Sequence, residues 1–257
     1  RVFPQNENTL TANSATGDFM HQTKISDEEF DAIRTFIYAR AGISLNIEKK
    51  PLVTSRLDKR LRHYSIDSFS KYIDILTSSP PEGEQRIAID LLTTNETYFF
   101  REPKHFTFLE KELKTRWKTE KTLRVWSAAS STGEEAYSIA MLLDDALGTR
   151  PWEIFGSDIN SKVVKTAQQG VYLQQRIDLI PDEYLKKYCL KGIEEQEGFL
   201  MVDKALRKRV TFSELNLIEP IGNIGTFDII FLRNVLIYFD METKKKIIKK
   251  HQSNNSC

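Results

Sequence analysis

The chain has 257 residues, a formal net charge of +1, 40% apolar and 28% charged residues. That length can bury one large or two modest domain cores. The near-neutral balance argues against nucleic acid binding over the whole surface, and no apolar run reaches the roughly 18 residues that a transmembrane helix needs, so no membrane insertion is expected. The two cysteines, Cys189 and Cys257, occur without a CxxC pair. They make no disulfide framework and fit a reducing, cytoplasmic setting.

Residues 1–23 mix Asn, Thr, Ser, Gln and Gly with few apolar groups. They predict a disordered tail and not a signal peptide, which requires an apolar segment. Residues 24–92 read as an all-α N-terminal domain. Ser26-Asp27-Glu28-Glu29 is a capping box that starts a helix carrying Phe30, Ile33, Ile37 and Ala41, with Gly42 as its C-cap. A second helix is expected over 48–64, with Pro51 in its first turn. One face is apolar and the other carries Arg56, Lys59, Arg60, Arg62 and His63. Such a stripe is either a solvated face or a docking face for an acidic partner. Two further helices are expected over 67–76 and 84–91, separated by the break Ser78-Ser79-Pro80-Pro81.

The stretch Leu91 to Pro103 combines small polar residues with Tyr98, Phe99, Phe100 and Arg101. It is too aromatic for a linker and too polar for a strand, and reads as a wall of the active site. From 93 to 257 the pattern changes. After a helix from Pro103, Leu123–Ala128 is a buried strand, 129–135 a turn of small residues, and 136–147 a helix. Trp152–Asp158 is a second strand ending in an acid, and Ser161–Gln169 a helix closed by Gly170. This β-turn-α-β-acid order is the nucleotide-binding half of a doubly wound α/β sheet. Residues 171–209 interrupt it. A helix over 184–190, a turn at Lys191-Gly192 and an apolar run from Gly198 to Val202 predict a small antiparallel insert. Strands at 209–212 and 227–232 resume the alternation, and a lysine-rich helix ends the chain.

Only Gly133 in the first turn is glycine; Ala129 and Ser131 stand where G-x-G-x-x-G calls for Gly. A dinucleotide pyrophosphate is poorly served there. Glu134 and Glu135 at the helix start either complement the helix dipole or face a cationic ligand such as S-adenosylmethionine. Asp158 is placed to accept from ribose hydroxyls, which both that cofactor and NAD possess. Asn216-Leu217 suits an adenine edge and face, or is a plain strand-end turn. The absence of Asn/Asp-Pro-Pro-Tyr/Phe at 233–236 argues against an amino nucleophile.

Four motifs occur in order: Thr94-Asn95-Glu96-Thr97-Tyr98-Phe99-Phe100-Arg101, Trp126-Ser127-Ala128 through Ser131-Thr132-Gly133-Glu134-Glu135, Ser157-Asp158-Ile159, and Phe231 to Asp240. Together they resemble the chemotaxis receptor methyltransferases of the CheR family over about residues 25–250. The resemblance implies a Rossmann-like S-adenosylmethionine-dependent methyltransferase domain with a small antiparallel β-subdomain, preceded by an all-α domain. It implies methyl transfer to glutamate side chains in the cytoplasmic domain of chemoreceptors, with S-adenosylhomocysteine as product. By matching position it implies that Asn95, Thr97, Arg101, Glu134 or Glu135, Asp158, Asn216, Leu217, Arg233 and Asn234 line the cofactor site. It further implies that Arg101 and Tyr238 are catalytic and that Arg56 and Arg62 meet the receptor. The four histidines are scattered and make no metal-ligand cluster, so no metal is expected.

The family's sheet continues beyond Asp240, whereas this chain has 17 further residues. A C-terminally truncated domain is therefore expected, with a sheet edge that a second copy could cover. The acidic loop 191–198 has glycine only at its ends, unlike relatives that tether a receptor peptide, and leaves tethering open. The competing readings are a non-catalytic sensor of the cofactor or its product, and an NAD-dependent enzyme disfavoured by the missing glycines.

Overall fold

Ser26 starts the helical part of the chain as its sequence dictates. Its hydroxyl accepts from the Glu29 amide at 3.1 Å and the Glu29 carboxylate accepts from the Ser26 amide at 2.8 Å, a cap worth about 1 kcal/mol. The computed structural model describes residues 2–3, 23–117, 121–220, 222 and 224–252. In chain order these form β1 (Val2–Phe3), α1 (Asp27–Ala41), α2 (Lys50–His63), α3 (Phe69–Ser78), α4 (Glu84–Leu92), α5 (Pro103–Arg116), β2 (Leu123–Ala128), α6 (Glu134–Leu147), β3 (Trp152–Asp158), α7 (Ser161–Gln169), β4 (Val171–Leu173), α8 (Asp182–Tyr188), β5 (Cys189–Gly192), β6 (Phe199–Val202), α9 (Lys204–Arg207), β7 (Val210–Glu214), β8 (Ile229–Phe231) and α10 (Met241–Gln252).

Helices α1 to α4 bury one apolar cluster, in which Phe30, Ile33, Ile37, Val53, Leu57, Phe69 and Tyr72 are wholly excluded from solvent. Glu84 is anchored beneath it. The Arg60 guanidinium donates to both Glu84 oxygens at 2.9 and 2.5 Å, and the Tyr72 and Tyr64 hydroxyls donate at 2.6 and 2.8 Å. A charge buried this deeply requires that many donors. Helix α3 lies two residues later than expected. Ser68 is its cap, accepting from the Lys71 amide at 3.4 Å, and Ser79, before Pro80, has left helical geometry.

Strands β7, β3, β2 and β8 form one parallel sheet in that order. Its inner strands are almost continuously buried, as a sheet covered on both faces requires. This is a Rossmann-like α/β architecture, preceded by a helical domain. A second sheet is ordered β1-β5-β6-β4; its β4, β5 and β6 lie between α7 and β7 in sequence, and β1 joins from the start of the chain. Its β4, β6 and β5 are antiparallel.

Two expectations are corrected here. The disordered tail over 1–23 does not hold for Val2–Phe3, which pair in parallel with Lys191 and Gly192. Phe3 is buried against Val171 and Met201, apolar contact that holds the strand to an otherwise open edge. Residues 1 and 4–22 lie outside the described residues. The helix expected over 184–190 ends at Tyr188, and the expected turn at Lys191-Gly192 is part of β5. Cys189 to Lys191 pair with Val202 to Leu200, so ladder bonds to β6 override the local helical pattern.

The helical domain is joined to the sheet at many points besides the 91–103 segment. The Asp90 carboxylate accepts from the Ser161 amide and hydroxyl at 3.0 and 2.8 Å. The Asn160 amide group donates to the Asp90 carbonyl and Thr93 hydroxyl at 2.9 and 2.8 Å. Tyr38 donates to Asp240 at 2.6 Å, which helps hold that carboxyl down to about 2, and Ser44 donates to the Tyr238 carbonyl at 2.8 Å.

Candidate active site

A cavity of about 700 Å³ lies where the C-terminal ends of β2, β3 and β8 meet the helical domain. This is the end of a parallel α/β sheet at which ligands bind. Asn95, Thr97, Arg101, Glu135, Asp158, Asn216, Leu217, Arg233, Asn234 and Tyr238 all line it. The fold thus brings together residues spread over nearly 150 positions of sequence.

The backbone around the cavity is held in uncommon conformations. Of the seven non-glycine residues with positive φ among the described residues, Ala129, Ser131 and Asn234 line the cavity, and Phe100 and Glu102 flank Arg101. Such geometry costs on the order of 1–3 kcal/mol per residue and gathers at functional sites. Ala129 (φ 60) and Ser131 (φ 50) adopt the left-handed backbone that glycine would give the turn. Gly133 is required outright, since a Cβ there would lie 2.8 Å from Ala167 Cβ.

Asp158 ends β3 and is only 6% exposed. Burial pushes its carboxyl upward, against the amides of Asn160 and Ser131, each donating at 2.9 Å. With two oxygens and about four lone-pair sites, it retains capacity to accept from a ligand diol. Glu135 accepts from the Ser127 hydroxyl at 2.8 Å and from Arg233 at 3.0 Å; burial raises its carboxyl as well. Arg233 also donates to the Arg101 carbonyl at 2.6 Å and to Glu102 at 3.1 Å, and Asn234 donates to Glu102 at 3.0 Å. The Arg101 guanidinium donates to the Glu96 carbonyl at 2.8 Å and lies over the Tyr98 ring at 5.5 Å. Asn216 donates to the Arg40 carbonyl at 2.8 Å, so this sheet-end residue also fastens the helical domain.

One expected cofactor residue stands elsewhere, and the two basic residues expected to meet the receptor differ in exposure. Glu134 does not line the cavity. It is wholly buried, accepts from the Thr132 hydroxyl at 2.5 Å and has Arg176 at 3.4 Å. Adjacent positions at a helix start point about 100° apart, so one of the two glutamates had to turn away. Arg56 is spent internally, donating to the Leu92 and Thr93 carbonyls at 3.1 and 2.8 Å. Arg62 is exposed and paired with Asp58 at 3.0 Å, while Lys59 and His63 are exposed beside it. Sequence reasoning missed the far wall, formed by Arg34 and by Ile43, Ser44, Leu45, Asn46 and Lys49 of the helical domain. No local motif marks these residues. Ile159, inside a motif, and Ile237, 74% exposed at the rim, were legible but unassigned.

The donor set fits S-adenosylmethionine. Buried carboxylates suit its ribose hydroxyls and its cationic groups, and Leu217 and Ile159 offer apolar contact for an adenine. Arg233 Nε is buried without a hydrogen-bond partner. A pyrophosphate is not matched by two buried anions. Among the described residues no cluster of His, Cys, Asp or Glu could hold a metal ion, and no helix is long and apolar enough to cross a membrane.

Two family models and several curated relatives match this chain. The CheR methyltransferase all-alpha domain matches residues 28–93, and the CheR methyltransferase SAM binding domain matches residues 95–255. The chemotaxis protein methyltransferase of Salmonella typhimurium is 42% identical over 229 residues, covering 88% of this chain and 78% of the relative. That of Escherichia coli is also 42% identical over 229 residues, with 88% and 79% covered. That of Borreliella burgdorferi is 35% identical over 253 residues, with 94% and 88% covered. The chain belongs to the CheR family of S-adenosylmethionine-dependent methyltransferases of chemotaxis.

Proposed function

We propose that the chain is a protein-glutamate O-methyltransferase, forming γ-methyl esters on the cytoplasmic domain of chemoreceptors. The single observation that carries this is the shared cavity: Arg101 and Tyr238 line it together with Glu135 and Asp158. Bound S-adenosylmethionine supplies an electrophilic methyl group, and its passage to a carboxylate oxygen leaves the S–C electron pair on sulfur and moves no proton. A glutamate, with an ordinary pKa of about 4.3, is already ionised at neutral pH and needs no general base. The residues therefore have to position groups and exclude water, a contribution that can reach roughly 7–11 kcal/mol.

In this reading Asp158 and Glu135 hold the cofactor, and Arg233 holds Glu135 in place and opposes the upward push of burial on its carboxyl. Arg101 orients a carboxylate near the cavity mouth, leaving one oxygen free to react, and the Tyr238 hydroxyl donates close to the reacting oxygen. Two opposite charges are consumed in the reaction, so a site walled off from water favours it. The exposed Lys59, Arg62 and His63 offer the receptor-facing surface, with Arg56 bracing the helix from behind.

The test is transfer of radiolabelled methyl from S-adenosylmethionine to receptor-containing membranes, followed by alkali. Release of labelled methanol is expected, because esters hydrolyse and N-methyl groups do not. Alkali-stable label, or cofactor binding without any transfer, would overturn the assignment.

A further inference from the structure

Arg176 does not line the cavity, yet it touches two of the segments that build it. It lies in the turn after β4, in the small sheet. Its Nη2 donates to the Thr97 carbonyl at 2.7 Å and stands 3.4 Å from Glu134 Oε1. Thr97 is a buried cavity residue, and Glu134 immediately precedes Glu135 at the start of α6. Glu134 is completely buried, and its Oε1 accepts no hydrogen bond. Arg176 is therefore the cation that faces it. The same strand makes two parallel contacts. The Tyr172 hydroxyl donates to the Thr132 carbonyl at 2.8 Å, and the Tyr172 ring stands edge-on to Phe99 at 4.9 Å.

We propose that Arg176 is a positioning residue for cofactor binding: it fixes the Thr97 peptide relative to the Glu134–Glu135 helix start, making the small sheet a structural part of the cofactor site. The assignment rests on the cavity being the S-adenosylmethionine site, and is independent of which acceptor is methylated. Removing the guanidinium has two separable effects. The Thr97 carbonyl loses its donor, and a buried carboxylate loses its counter-charge. Burial already raises the Glu134 carboxyl, so the unpaired group would take up a proton more readily still.

The two effects are separated by titrating S-adenosylhomocysteine into the full chain by calorimetry, alongside thermal melts. Arg176→Ala is expected to weaken binding roughly tenfold and to lower the melting temperature. Arg176→Lys keeps the charge without the planar donor pair. It is expected to fall between Arg176→Ala and the wild type, and supplies the measurement where Arg176→Ala does not fold. Combining Arg176→Ala with Glu134→Gln is expected to restore thermal stability while affinity stays low, since the Thr97 carbonyl remains without its donor. Affinity within twofold of wild type in Arg176→Ala would overturn the proposal. So would affinity that returns together with stability in the double variant, which would make Arg176 only a counter-ion. A wild-type chain that binds no S-adenosylhomocysteine would overturn both this proposal and the cofactor site. A chain that binds it but methylates no glutamate would overturn only the acceptor assignment.

Discussion

Arg233 Nη1 donates to Glu135 Oε2 at 3.0 Å, with both side chains nearly buried. The same guanidinium holds the Arg101 carbonyl and the Glu102 carboxylate. Arg233, two residues past the end of β8, thus ties the start of α6 to the segment entering from the helical domain. Arg233→Ala is expected to destabilise the fold by about 3 kcal/mol, because an uncompensated buried carboxylate remains. Urea denaturation checks this. Arg233→Ala combined with Glu135→Gln should recover most of that stability and none of the cofactor affinity.

Arg101 and Tyr238 should separate binding from turnover. Arg101→Ala is expected to lower kcat about a hundredfold, the size seen when one preorganised electrostatic donor is removed. Tyr238→Phe removes a single hydroxyl. It should lower kcat about tenfold while leaving S-adenosylhomocysteine affinity within twofold, to be measured with receptor-containing membranes and by calorimetry.

Stability of the helical domain should depend on acid pH through Glu84. Burial raises this carboxyl, but hydrogen bonds from Arg60, Tyr72 and Tyr64 and the Arg60 charge outweigh it, so it ends below the ordinary value. A depressed native pKa contributes stability that is fully present above the unfolded value of about 4.3 and is lost as pH falls through the native one. Denaturation from pH 6 down to 3 should therefore show a loss that Glu84→Gln lacks, although that variant starts from lower stability at pH 6.

Ligand linkage gives a test of Asp158. At roughly a hundred times its dissociation constant, S-adenosylhomocysteine should stabilise the native chain by about 2.7 kcal/mol. Asp158→Ala should abolish most of the corresponding rise in melting temperature at the same concentration. An undiminished rise would remove Asp158 from the site.

A chain beginning at residue 93 should bind no S-adenosylhomocysteine. It lacks the cavity wall formed by Arg34, Ile43, Ser44, Leu45, Asn46 and Lys49. It also loses Asp90, which accepts from Ser161 at the start of α7, the helix that follows Asp158.

Much of this was legible without coordinates, because the informative segments are local. A capping box, a strand ending in an acid and a run of small residues before a helix each state their structure within about ten positions. What stayed hidden depends on which distant groups share a space. The basic stripe of α2 reads as one surface, but the fold divides it. Arg60 is drawn to Glu84 and Arg56 to the end of α4, while Lys59, Arg62 and His63 stay exposed. The extended Val2–Phe3 strand was hidden for the same reason, since its partners lie near residue 191.

By itself, the sequence determined the family, the cofactor class and the order of the longer helices and strands, since periodicity, caps and motif spacing are properties of contiguous chain. Only the tertiary structure decided that Glu135 faces the cavity while Glu134 faces Arg176 of the small sheet. It also decided that residues 41–49 complete the wall, and that Ala129 and Ser131 take the backbone conformation expected of glycine. The physical reason is the same in each case. A helix start offers two directions and a turn several backbone geometries, and the choice among them falls to long-range packing and to the pairing of buried charge, which no short window of sequence contains.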